Sequence, residues 1–251
     1  MYISIAMIIV TMLFISVISI VYLPKDKVVS SETTSYKYLA ILSLVNLLLE
    51  LLLCTNIVLN INLYSFLNLF LNKIFLITLF LWYMIFAYYL FSLTFLYVKL
   101  KEKKIKKVNK VFAIFVIIGC LLITFLPIML VDDGKYAYSS GPAVNVLISM
   151  NLIVVIAAFI IVIKDLKYIS KKKIIPLITL MLLMGIVAIF RITNPGILLN
   201  SFSTAFTTFL MYFTIENPDM KVLNELYKNK TIMEQTYDDK ANFLFEAAQE
   251  I

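Results

Sequence analysis

The chain has 251 residues, 62% of them apolar and 15% charged, with a net charge of +7 and a mean hydropathy of +0.97. Soluble domains carry roughly 45–50% apolar and about 25% charged residues, so one water-soluble core is excluded and lipid is the expected solvent. The absence of histidine excludes His-ligated metals, Ser-His and Cys-His catalytic pairs, and a phosphohistidine on these residues.

About 20 apolar residues of helix cross a bilayer core. On that measure the sequence predicts seven spans: Met1–Leu23, Tyr38–Leu59, Ile74–Val98, Val111–Val131, Ala143–Ile163, Ile174–Phe190 and Ile197–Ile215. The first lacks a basic start and a small-residue cleavage site, so it reads as an anchor rather than a signal peptide. The seventh is the weakest, with Asn200, Ser201, Ser203 and several threonines. With the N-terminus outside, 19 of the 22 basic residues fall on the cytoplasmic side; only Lys73, Lys135 and Arg191 fall outside. That asymmetry predicts a multi-pass protein of the cell membrane with a cytoplasmic C-terminus.

Cys54 and Cys120 lie in apolar stretches, so neither a disulfide framework nor a metal site is expected, and no cofactor is implied. The lysine-rich run from Lys99 to Lys110 reads as an anchor on anionic lipid. It has no interleaved aromatic residues for base stacking, so nucleic acid is not an expected partner. The segment Val131–Pro142 is the most elaborate external loop, with turn residues Gly134, Gly141 and Pro142. External loops are too short for a folded domain, so a ligand must bind among the helices or arrive within the membrane.

Glu50 is the one carboxylate well inside a span. A charge there is costly and commonly faces a bundle interior or a watery cavity. A sensing site, a helix–helix hydrogen bond, and a shifted span that leaves Glu50 nearer water all stay open. Arg191, at the outer end of the sixth span, is a candidate partner for it. Trp82, Tyr83, Tyr88 and Tyr89 could line a ligand pocket, although packing and interfacial anchoring are the commoner uses of such residues. Pro127 and Gly185 are positioned to kink spans four and six.

After the seventh span the composition changes. Residues 216–251 hold four lysines and eight acids. Asn217 and Pro218 read as a helix cap and first helical position. A heptad series through Leu223, Leu226, Met233, Tyr237 and Leu244 predicts a coiled-coil seam, weakened by Lys230 and Lys240. A lone amphipathic helix on the membrane is the simpler alternative, and the acidic balance argues against it.

The stretch from Phe213 to Leu226, directly after a last span, resembles the exit segment of seven-span sensor histidine kinases of low-GC Gram-positive bacteria. In that family a phosphoacceptor motif follows, approximately Phe-Leu-x-x-x-Ser-His-Glu-Ile-Arg-Thr-Pro. Here Phe243 and Leu244 match its opening, Glu250 and Ile251 match the acid and aliphatic residues, and Ala248 takes the serine slot. Gln249 takes the histidine slot.

The resemblance implies an all-α protein in two parts. A seven-helix transmembrane sensor (residues 1–215) is followed by a cytoplasmic coiled-coil-like helix (216–251) with a degenerate phosphoacceptor motif. It further implies signal transduction within a two-component system without kinase chemistry in these residues, so no enzyme is expected. The tail helix would form a homodimer, or a heterodimer with an intact sensor kinase. The signal is unnamed, small or membrane-derived. The competing class is a small transporter or channel, which usually shows internal repeats and broken helices; no convincing repeat is present.

Overall fold

The computed structural model describes the backbone of residues 2–24, 31–59, 65–98, 102–132, 137–164, 171–193, 199–216 and 218–249. Side-chain surroundings are described for these except 2, 31–32, 93–98, 102–104, 132, 137, 171–173, 191, 215–222, 224–225 and 243–249. The described chain is a helical bundle: α1 (Tyr2–Tyr22), α2 (Ser31–Val58), α3 (Phe66–Val98), α4 (Glu102–Phe125), α5 (Pro142–Lys164), α6 (Lys171–Thr193), α7 (Asn200–Met211) and α8 (Pro218–Gln249). Five helices, α1 to α5, are long and apolar enough to cross a membrane. In α6 the apolar part is the shorter Ile174–Phe190, and α7 has 12 residues extended by a π-helical turn, Tyr212–Glu216.

Several helices outrun their apolar cores. Helix α2 starts at Ser31 rather than Tyr38, and α3 at Phe66 rather than Ile74. The hydroxyl of Ser65 accepts the Asn68 amide at 3.3 Å, supplying the N-cap of α3. The basic run is largely helical, forming the first turns of α4 from Glu102 onward.

The fourth span ends at Phe125, six residues before Val131. Pro127 therefore does not kink it: the proline lies in the connection that follows, where no helical amide is needed. A two-stranded hairpin then forms, β1 (Met129–Asp132) antiparallel to β2 (Ala137–Ser140), with Met129 opposite Ser140. Gly141 joins it to α5 at φ +101°, where a Cβ would lie 3.1 Å from the Met129 nitrogen; glycine meets both demands. Pro142 follows at the first position of α5.

Helix α3 is the hub, packed on α2, α4 and α5, while α7 is packed on α1, α2 and α6. Phe80, Trp82, Phe86 and Tyr89 of α3 are wholly buried. Helix α4 approaches through Gly119, where a Cβ would fall 2.3 Å from the Phe80 ring. Its other side (Val111, Ile114, Ile118, Leu121, Phe125) is exposed, as a lipid-facing surface would be.

The Ser/Thr-rich seventh segment is largely enclosed by the bundle. Ser201, Ser203, Thr204, Thr207 and Thr208 are all buried. Such burial is costly unless each hydroxyl is bonded. Ser203, Thr204, Thr207 and Thr208 donate to the carbonyls of Asn200, Ser201, Ser203 and Thr204, at 2.8–3.0 Å. Small side chains satisfied by their own backbone let neighbouring helices come close.

Candidate functional site

Four residues spaced by three or four along α2 (Ser43, Asn46, Glu50 and Cys54) form one buried polar stripe, each at most 1% exposed. This spacing places them on a single helix face. At Ser43 the stripe meets two other helices. Trp82 Nε1 donates to Ser43 Oγ at 2.9 Å and to Thr208 Oγ1 at 3.2 Å, and the two hydroxyls lie 2.9 Å apart. Trp82 stacks on Phe86 and meets Tyr83 edge-on, with ring centroids 5.4 and 5.3 Å apart. Trp82 is thus a core residue tying α2, α3 and α7 together.

Two turns along α2, Glu50 lies beside a cavity of about 480 Å³ lined from α2, α3, the hairpin, α5, α6 and the start of α7. Most of the wall is aliphatic. The polar lining comprises Glu50, Asn68, Asn72, Tyr83, Tyr138, Ser139, Asn151 and Asn200. The cavity lies toward the C-terminal ends of α2 and α6 and the N-terminal ends of α3, α5 and α7.

Glu50 is 1% exposed, so it faces the bundle interior rather than its outer surface. Ser201 approaches it with hydroxyl and backbone, yet neither carboxyl oxygen closes a hydrogen bond with a described residue. Ser201 belongs to the first turn of α7, whose cap residue Leu199 supplies no side-chain bond. Amides of a first turn lack intrahelical partners and favour a negative charge. Glu50 therefore stands where the open N-terminus of α7 and the cavity meet. Asn151, 3% exposed, also presents an Oδ1 with no described partner.

The hairpin closes one side of the cavity. Ser139 donates to Asn72 Oδ1 at 2.6 Å, and Asn72 Nδ2 donates to the Asn68 carbonyl at 2.9 Å. Lys73, next along α3, turns to α4: its Nζ donates to the carbonyls of Ile123 and Thr124, both at 2.9 Å, and to that of Leu126. A cation on the last carbonyls of a helix satisfies groups that have no partner within it.

No known protein-family model matches the chain, and no curated protein matches it. The site therefore rests on its own geometry.

Of the residues singled out in the sequence, Glu50 and Tyr83 line the cavity and Trp82 stands behind Tyr83. The Arg191 side chain lies outside the described residues, and with it the Glu50–Arg191 pairing. Leu223, Leu226, Met233 and Tyr237 are exposed along α8, 42–65% each; the side chains of Leu244 and Gln249 lie outside the described residues. Helix α6 passes through Gly185, which lines the cavity with nothing within 4 Å of its Cβ position.

The asparagines were missed. Asn68 and Asn72 precede the apolar run of the third span, and Asn151 is one amide in the most hydrophobic helix. Their signal was spacing: residues four apart ahead of a span, and an amide in the middle of one, six residues after Asn145. Among the described residues no cluster of potential metal ligands occurs. The arrangement is suited to holding a molecule with an apolar body and a hydrogen-bonding head.

Proposed function

We propose that this chain is the sensing part of a membrane receptor that couples a ligand in the bundle cavity to the helical tail. The observation that carries the reading is the position of Glu50, at once on the cavity wall and at the open N-terminus of α7. From there α7 leads through the π-helical turn toward α8. A ligand that alters the hold of Glu50 on α7 acts on the element nearest the tail. It shifts the equilibrium only by its differential affinity for two bundle states.

In this reading the bundle has seven spans, with the N-terminus outside and α8 in the cytoplasm. The lysine asymmetry supports the orientation. The cavity would then face the exterior half of the membrane, where a small or membrane-borne signal arrives. The exposed apolar residues of α8 would pair with a second copy or with an intact sensor kinase, as the histidine-kinase resemblance implies.

Cysteines introduced at Leu226 and Met233 in native membranes test the reading. Disulfide dimers are expected, with yields that change when Glu50→Gln is added. Absence of dimers would reject pairing of two copies through the seam, and yields indifferent to Glu50→Gln would reject the coupling. Solute flux across liposomes containing the chain, lost in Glu50→Gln, would favour a transporter instead.

A further inference from the structure

The cavity carries information about the class of its ligand. Its described lining contains one ionisable carboxyl, Glu50, and no lysine or arginine. The carboxyl is 1% exposed; Ser201 of the first turn of α7 approaches it with hydroxyl and backbone, and neither oxygen closes a hydrogen bond with a described residue. Across the same space Asn151 presents an unpartnered Oδ1. A buried acceptor without a donor is costly, and for a carboxylate the cost is larger still. Both groups ask for hydrogen-bond donors, and a carboxyl accepts most strongly from a cationic donor. Most of the remaining wall, including Leu79, Leu147, Val155 and Met181, is apolar, and its other polar residues are neutral amides and hydroxyls. The volume of about 480 Å³ falls within the roughly 300–1,000 Å³ of pockets that take small organic molecules, whereas a bare metal ion needs far less.

We propose that the cavity binds a primary or secondary organic ammonium ion with an apolar body, its N–H groups on Glu50 and Asn151. An ammonium supplies several donors and a charge together, and charge-assisted hydrogen bonds are the stronger kind. An ionised carboxylate ligand offers no donor to these two acceptors, and a neutral alcohol offers one donor without charge. The proposal rests on the receptor reading only for its consequence: an ammonium that engages Glu50 draws it from the first turn of α7 and so alters the start of that helix.

Trp82 is the only tryptophan of the chain and packs edge-on against Tyr83, a residue of the cavity wall. Its fluorescence reports binding. The full chain in lipid nanodiscs is titrated with 4-phenylbutylamine, 4-phenylbutanol and 4-phenylbutyrate, against empty nanodiscs. The amine is expected to bind about tenfold or more tighter than the alcohol, with the acid weakest, and Glu50→Gln is expected to remove the amine's advantage. Gly185→Leu, which fills the apolar space, should weaken amine and alcohol alike.

Equal affinities for amine and alcohol, or an amine advantage that survives Glu50→Gln, overturn the proposal. So does saturation by sodium or potassium alone that excludes the amine. If Glu50→Gln does not fold, the order amine, alcohol, acid in the unaltered chain still decides. Crosslinking at Leu226 and Met233 is measured in the same samples. Amine binding that leaves it unchanged keeps the ammonium site and removes the receptor reading; a change produced equally by amine and alcohol at the same concentration does the reverse.

Discussion

Ser139 of the hairpin donates to Asn72 Oδ1 of α3 at 2.6 Å, so the wall of the cavity is tied across 67 residues of sequence by one polar contact. Asn72 is 4% exposed, and its other amide atom is engaged by the Asn68 carbonyl. Ser139→Ala leaves Asn72 Oδ1 without this donor. A loss of about 1–3 kcal/mol is expected, the cost of an unsatisfied buried acceptor. Hydrogen exchange should rise in residues 129–140 more than in α3.

Lys73 secures the end of α4 by satisfying three carbonyls at once. Lys73→Met keeps the aliphatic stem and removes the donors. We expect about 1–3 kcal/mol of destabilisation, read as a lower midpoint of unfolding in detergent, and increased exchange at residues 120–128. Lys73→Arg should recover part of the loss, because it retains charge and several donors.

Gly119→Ala puts a methyl group into the buried Phe80 ring. Phe80 is wholly buried, so the ring cannot swing aside freely. Overpacking of this kind costs about 1–3 kcal/mol. Thermal unfolding should show the drop, and shortening Phe80 to leucine in the same chain should relieve it. Gly119→Ala with no effect would mean that α4 lies farther from α3.

Trp82→Phe removes the donor shared by Ser43 and Thr208. The two hydroxyls still face each other, so the expected cost of the lost hydrogen bonding is about 0.5–1.5 kcal/mol, besides the smaller ring. A double-mutant cycle with Thr208→Val should give a coupling of about 0.5 kcal/mol or more. A coupling of zero would sever the tie between α3 and α7.

The fold was legible where hydropathy alone decides. The long apolar runs of α1, α3 and α5 became helices because a helix satisfies its own backbone without water. Polar residues at the ends were harder to read. Ser31–Ser35 and Asn68–Lys73 looked like connections, yet they extend α2 and α3, because Ser65 caps one helix start and Lys73 finds carbonyls to bind. Pro127 was misjudged because an apolar stretch continues past the helix end into a strand. The burial of α7 was the least legible feature. Its threonines and serines read as polar, while in place four of their hydroxyls are spent on the preceding turn. Of the site, Glu50 was visible because a carboxyl in a span is rare. Asn72, Ser139, Asn151 and Gly185 converge only in three dimensions, from segments that sequence spacing cannot relate.

The self-bonded hydroxyls of α7 have a mechanical meaning. A helix held to its neighbours by many polar ties must break them to move, and each break carries a barrier. Four of the hydroxyls of α7 travel with the backbone that accepts them, so a small turn of the helix leaves those bonds intact. Among its described hydrogen bonds to other helices are those through Thr208, to Ser43 and Trp82. Such a helix behaves like an axle in a greased bearing with few catches, turning as one piece once those are released.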